Sequence, residues 1–222
     1  MMPLSPPAIF AIGRNYHAHA LEMGHEAPKQ PTIFMKNPAA IIAATDDVVI
    51  PPICREPHDQ VDYEGELGVV ISKDACDVSV DDAMSYVLGY VVVNDVTASW
   101  WQKKGSGGQW VRGKSFDTFC PVSPVTLRDD VADPQQLRIV TTVNGEIRQD
   151  GSTADMIFSV PQLIAELSRG LTILAGTLIL TGTPSGVGRA MDPPRYLKDG
   201  DIIEVRIDGV GTLANHVRCP SL

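Results

Sequence analysis

Apolar residues along this chain come in short, closely spaced blocks rather than in long helical stripes. Ala8 to Ile12, Pro31 to Lys36, Val48 to Ile50, Leu67 to Ile71 and Tyr86 to Val93 each read as a strand. Each is short, rich in β-branched or aromatic residues, and bounded by Gly, Pro or a polar cluster. Leu137 to Val143, Asn144-Gly145 and then Glu146-Ile147-Arg148 predict a hairpin, because Asn-Gly supplies the two positive φ angles of a tight turn. Thr177 to Leu180 reads as a buried strand, and Asp201 to Ile207, Asp208-Gly209 and Gly211 to Val217 as a second hairpin. Helical signals are fewer. His17 to Met23 is rich in helix formers and stops at Gly24; Thr97 to Lys104 and Asp81 to Met84 also read as helical. Ser159-Val160-Pro161-Gln162 is a capping box with Pro in the first turn, followed by an apolar face of Leu163, Ile164 and Leu167 and a stop at Gly170. Many strands, few helices and no repeating βαβ unit predict a β-rich α+β fold and exclude a doubly wound sheet.

Composition narrows the setting. With 222 residues the chain can bury a large core and reads as one domain over 1–222. Its net charge of −9, with no basic block, excludes a nucleic-acid surface. Cys54, Cys76, Cys120 and Cys219 are scattered and form no CxxC pair, which favours free thiols in a reducing compartment. There is no basic signal-peptide start and no apolar run near the ~20 residues of a membrane helix. A soluble, cytoplasmic protein without membrane partners is expected.

The chemistry concentrates in Asp62-Tyr63-Glu64-Gly65-Glu66, just before Leu67 to Ile71. Side chains alternate along an extended chain, so Asp62, Glu64 and Glu66 face one way and Tyr63, Leu67 and Val69 the other. Glu64 and Glu66 then lie roughly 7 Å apart at their Cα atoms, close enough to grip one cation and to repel without it. The competing reading is an edge strand with a solvated acidic face. Asp95, where Val91-Val92-Val93-Asn94 meets a loop, adds a third carboxylate. No basic residue adjoins these three in sequence to neutralise them. Three oxygen ligands with no nearby Cys suit a hard cation, Mg²⁺ or Mn²⁺ with Ca²⁺ as the alternative, and not structural zinc. His19 and Glu22, three apart on the first helix, share a face and can hydrogen-bond; alone they would read as a surface pair worth a few tenths of a kcal/mol.

Gly108 to Ser115 matches the Walker A pattern GxxxxGK[ST] letter for letter. That pattern cradles phosphate only between a buried strand and a long helix. Here a glycine-rich loop precedes it, Phe116 to Pro121 follows, and Trp110, Val111 and Arg112 crowd the interior, so a nucleotide site is rejected.

Gly13-Arg14-Asn15-Tyr16, the acidic strand, Asn94-Asp95-Val96-Thr97-Ala98, Gly113-Lys114-Ser115-Phe116-Asp117 and Leu180 to Gly188 occur in this order. Together they resemble the fumarylacetoacetate hydrolase family from about Ile9 to the C-terminus. The resemblance implies a mixed β-sheet roll with flanking helices, usually as a homodimer, and Mg²⁺ or Mn²⁺ on Glu64, Glu66 and Asp95. It implies a small 2-oxo acid substrate, with His19, Glu22, Lys114 and Gln102 catalytic and Arg14, Tyr16, Lys36 and Thr183 in substrate binding. Breaking a bond beside a 2-oxo acid leaves a pyruvate enolate, whose charge needs a Lewis acid and a positive donor such as Lys114. Hydrolysis also needs a base for water, the role of His19 oriented by Glu22, with Gln102 bonding the diolate.

Hydrolysis of an acylpyruvate such as fumarylpyruvate or acetylpyruvate is the leading expectation. Oxaloacetate decarboxylation, isomerisation or decarboxylation of dienoic diacids from aromatic catabolism, and non-catalytic binding of a 2-oxo acid or oxalate are the alternatives. One position departs from the pattern. Many relatives carry Arg after Asn-Asp-Val-Thr-Ala, where this chain has Ser99-Trp100-Trp101. An Arg there would meet a substrate carboxylate, and Arg14 and Arg112 are the candidates to replace it. Three glycines in Gly105 to Gly108, flanked by Lys103, Lys104 and Trp110, predict a lid. Oxalate with Mg²⁺ should protect this loop from limited proteolysis; equal cleavage with and without ligand would count against a lid.

Overall fold

A computed structural model describes residues 4–221. In the first half the strands are β1 (Ile9–Gly13), β2 (Thr32–Lys36), β3 (Ile41–Ala43), β4 (Val48–Val49), β5 (Val61–Asp62), β6 (Gly65–Ile71), β7 (Val87–Asn94) and β8 (Thr97–Ala98). The second half adds β9 (Cys120–Val122), β10 (Thr126–Leu127), β11 (Arg138–Val143), β12 (Glu146–Ser152), β13 (Leu178–Leu180), β14 (Ile202–Ile207) and β15 (Gly211–Arg218). Helices α1 (His17–Glu22), α2 (Trp110–Lys114) and α3 (Val160–Ser168) are short, and Trp101–Gly105 forms a π-helical turn.

One mixed sheet runs β2-β1-β13-β6-β7-β9-β3, with β10 added to β7. A second runs β12-β11-β14-β15-β4, and β5 pairs with β8 alone. The first sheet curls, so both of its faces are apolar and closed. On one face Leu67, Val69, Tyr90 and Val92 pack against Ile139, Ile203, Val205 and Leu213 of the second sheet and against α3. On the other, Ile9, Val70, Val91, Val93, Leu178 and Leu180 form a separate inner core beside Phe34, Ile41 and Val125. This is the β-rich α+β roll that the sequence predicts.

The edge-strand reading of the acidic segment is wrong. β6 is central, paired with β13 on one side and β7 on the other, and all seven of its residues are buried. A strand covered on both faces reads as a continuous apolar run, as Leu67 to Ile71 does. Both predicted hairpins form, with Asn144 and Gly145 at φ 53° and 78°. The capping box closes as expected, Ser159 N–H donating to Gln162 Oε1 at 2.8 Å. Thr97 to Lys104 is helical only in its second part. Thr97 and Ala98 pair instead with Asp62 and Val61, because β8 must cover the start of the acidic segment. The helix expected near Asp81 is a 3-10 turn over Ala83–Tyr86. Gly105 belongs to the π-helical turn, tight against Trp100 and Trp101, so only Gly107 and Gly108 of the expected lid stand in open space. No described helix is long and apolar enough to cross a membrane.

Gly68 sits where the inner core is tightest. A Cβ there would lie 2.6 Å from Val91 and 2.7 Å from Val93. Gly68→Ala should therefore cost about 1–3 kcal/mol of stability through overpacking. A urea midpoint equal to wild type would show that the inner core yields.

Candidate active site

The site lies at one end of the inner core, where β6 and β7 enter their loops. Gly65 pairs with Asn94 across the two strands, and the Asp95 N–H donates to the Glu64 carbonyl at 2.8 Å. This register brings Glu64, Glu66 and Asp95 together with one carboxylate oxygen each, all within 4.8 Å of one another. Glu66 and Asp95 are fully buried, and Glu64 is half-buried.

Lysines distant in sequence partly neutralise this trio. Lys114 Nζ donates to Asp95 Oδ2 at 2.6 Å and to Glu64 Oε2 at 2.8 Å. Lys36, on the last residue of β2, pairs with the other oxygen of Asp95. Burial alone would push the Lys114 ammonium down, but Asp95, Glu64 and Glu66 outweigh it and hold it well above the ordinary lysine value. Burial would likewise raise Asp95, yet Lys114 and Lys36 hold it below the ordinary carboxylate value. Glu66 goes the other way. Burial, then Asp95 and Glu64, push it well up, and the Gly182 N–H at 2.7 Å only partly offsets them. With all three carboxylates ionised, as a bound cation requires, two ammonium groups leave one negative charge. An all-oxygen, buried, under-neutralised donor set fits a hard divalent cation, which would leave one positive charge facing the cavity.

Local structure fixes each group. Asn94 Oδ1 accepts the Glu64 N–H at 3.0 Å. The Thr97 hydroxyl stands 3.1 Å from Glu64 Oε1 and 2.8 Å from the Asp95 carbonyl. Gly113 lets α2 lie against the π-helical turn; a Cβ there would meet the Gln102 nitrogen at 2.3 Å, so no larger residue could place Lys114 here. Gly182, at φ 100°, turns its N–H onto Glu66.

His19 and Glu22 are drawn in from α1. His19 Nδ1 lies 2.7 Å from Glu22 Oε1, and Glu22 Oε2 accepts the Gly186 N–H at 2.9 Å. The Tyr63 hydroxyl in turn donates to the Gly186 carbonyl at 3.0 Å. The pair is thus tied to the loop after β13 and is not a free surface pair.

A cavity joins these groups. His19, Gln102, Lys114, Glu64, Glu66, Arg14 and Thr183 all line it. Thr183 is occupied, donating to the Gly65 carbonyl at 2.9 Å and accepting from Gln149 at 2.7 Å. Two expected substrate contacts stand elsewhere. Lys36 lies behind Asp95, and Tyr16 is in the core with its hydroxyl unpartnered among the described residues, outside the cavity wall. Arg112 stacks on Trp101 and Phe116 and does not line the cavity.

Sequence reasoning placed Asp62 only on the acidic face and Lys103 and Trp110 only beside a lid, and gave no role to Arg189; all four line the cavity. Asp62 accepts the N–H groups of Gly188 and Arg189 at 2.8 Å each, and burial pushes its carboxyl up to about 7. Asn15 was visible only as part of a motif; its amide bonds to the Thr181 and Phe158 carbonyls and ties α1 to the end of β13.

A curled mixed sheet carrying a buried carboxylate trio and a histidine–glutamate pair defines a class of small-molecule enzyme. The family profile described as fumarylacetoacetate (FAA) hydrolase C-terminal matches residues 8–218, and the chain belongs to the fumarylacetoacetate hydrolase family. It is similar to oxaloacetate tautomerase YisK of Bacillus subtilis, 46% identical over 97% of this chain and 71% of that protein. Human mitochondrial oxaloacetate tautomerase FAHD2A is 43% identical over 96% of this chain and 67% of its own length. A solved fumarylacetoacetate hydrolase from Exiguobacterium antarcticum superposes with a TM-score of 0.88 at 41% identity, covering 97% of this chain and 76% of that one. Membership makes the chain an enzyme of this family. It does not carry the cytoplasmic expectation, since the human relative is mitochondrial.

The charge arrangement makes the carboxylates unequal. Without metal, Asp95→Asn should cost about 3–5 kcal/mol, because it strands the buried Lys36 ammonium and leaves Lys114 with Glu64 alone. Glu66→Gln should leave the metal-free melting temperature equal or higher while losing the rise that Mg²⁺ gives. Thermal melts that move both variants in one direction would overturn this assignment of charge.

Proposed function

We propose that this protein is a metal-dependent keto–enol tautomerase of a small 2-oxo acid, with oxaloacetate the substrate to test first. The observation that carries the reading is that His19, braced by Glu22, and Lys114 share one cavity with Glu64 and Glu66, with Asp95 bonded to Lys114 just behind the wall. Tautomerisation moves one proton between C3 and the 2-oxo oxygen and consumes no water. A divalent cation on Glu64, Glu66 and Asp95 would supply Lewis acidity at that oxygen. Lys114 places a fixed ammonium where negative charge gathers. With Nδ1 donating to Glu22, His19 keeps Nε2 free to take the C3 proton and pass it to the 2-oxo oxygen, or to run the transfer in reverse. Gln102 offers an amide to the substrate's carboxylate.

Relatives more than two-fifths identical to this chain over the aligned residues are described as oxaloacetate tautomerases, which supports this reading over the acylpyruvate hydrolase ranked first on sequence. Hydrolysis is the second reading, favoured by the intact His19–Glu22 pair, which could equally activate water. Both readings use the same groups; they differ in whether water attacks a carbonyl.

The deciding measurement compares exchange of the oxaloacetate C3 protons in D₂O with cleavage of acetylpyruvate, on one preparation with Mg²⁺ or Mn²⁺. Exchange should dominate, vanish on chelation and return with metal. His19→Ala should slow it about 10²–10⁴-fold. Undiminished exchange in chelated protein, or acetylpyruvate cleavage as the faster reaction, would overturn the proposal.

A further inference from the structure

Along the cavity, a more buried floor and a more exposed rim carry opposite charge. Glu64, Glu66 and Asp62 line it beside Lys114, while Arg14, Lys103 and Arg189 also line it from three separate segments. Arg14 comes from the turn after β1, Lys103 from the π-helical turn and Arg189 from the 3-10 turn Gly188–Ala190.

No ion pair to a carboxylate is found for Arg14, Lys103 or Arg189 among the described residues. Arg14 is held by an aromatic face, its guanidinium carbon 5.6 Å from the Trp110 ring centre, and its Nε is buried without a partner. The three feel one another. Burial, then Arg189 and Arg14, hold the Lys103 ammonium below the ordinary lysine value. Like charges gathered at a cavity mouth are unfavourable unless an anion arrives there.

The position of Lys103 explains the departure at Ser99. Both residues line the cavity, and they are four apart, on one face of the helical segment. A long side chain from one turn later reaches the space that an arginine at Ser99 would occupy. Arg112, the other candidate, is turned away onto Trp101 and Phe116.

We propose that Lys103, with Arg14 and Arg189, forms a subsite for the second carboxylate of a 2-oxo dicarboxylate, and that Lys103 sets the preference for such acids over 2-oxo monocarboxylates. The inference rests on the reading that the trio's end of the cavity takes the 2-oxo acid group. The floor would hold that group, and the rim would hold the far carboxylate in a charge-assisted contact.

The test is binding, so that it stands apart from which reaction follows. Calorimetry on Mg²⁺-loaded protein would compare difluorooxaloacetate, a 2-oxo dicarboxylate without C3 protons, with trimethylpyruvate, a monocarboxylate that also lacks them. Oxalate, which fills only the floor, is the control. Wild type should bind the dicarboxylate at least about tenfold more tightly than the monocarboxylate. Lys103→Met should remove most of that preference and leave oxalate and trimethylpyruvate within about twofold, and Lys103→Arg should restore it. Equal loss for all three ligands, or an unchanged preference in Lys103→Met, overturns the subsite. Failure of all three to bind wild type overturns it as well. An intact preference in a protein that exchanges no oxaloacetate C3 protons would instead sink the tautomerase reading and leave the subsite standing.

Discussion

Asp95 is the charge on which the site depends. It is fully buried at the end of β7 and accepts from two lysines at once, Lys36 from β2 and Lys114 from α2. Three segments separated by long stretches of sequence therefore meet at one carboxylate. Removing the aspartate would leave the Lys36 ammonium without its partner in a place water does not reach, which is far costlier than never having buried the pair. The same arrangement leaves Glu66 short of positive charge. The protein thus folds around a site that is nearly, but not fully, neutral, and the remaining deficit is what a divalent cation would fill.

The loop after β13 joins the two halves of the chemistry. Its backbone N–H groups reach Glu66 at Gly182, Glu22 at Gly186 and Asp62 at Gly188. One segment thereby holds a carboxylate of the trio and the orienting partner of His19 in fixed relation. Tyr63 closes this bracing from beside Glu64, through the Gly186 carbonyl. Backbone amides suit the task because they are rigid and cannot lose their proton, so the carboxylates stay placed whether or not the cavity is filled.

Around this frame the cavity changes sign from floor to rim. The acidic floor is masked by lysine and suited to a cation, while the rim gathers Arg14, Lys103 and Arg189. A net charge of −9 does not oppose an anionic substrate, because the local field at the mouth is set by these few cations.

The strands, both hairpins and the capping box of α3 were legible in the sequence, since each depends on neighbouring residues: alternation, Asn-Gly, and Ser followed by Gln three later. Glu64, Glu66 and the His19–Glu22 pair were legible for the same reason, as short spacings on a strand or a helix, and Asp95 as the polar end of an apolar run. Tertiary structure alone decided what those groups face. The acidic strand read equally well as a solvated edge, because a β-strand carries no local mark of how many neighbours it has; pairing with β13, over a hundred residues away, makes it central. The carboxylates looked bare because Lys36 and Lys114 are distant in sequence, and their approach to Asp95 is a product of the curl of the sheet. Tyr16 sat in a matching motif and Lys36 was expected at the substrate, but both were carried behind the cavity wall, while Lys103 and Arg189, in no motif, were carried into it. Periodicity fixes the face on which a side chain lies within its own element; only packing between elements fixes what that face meets.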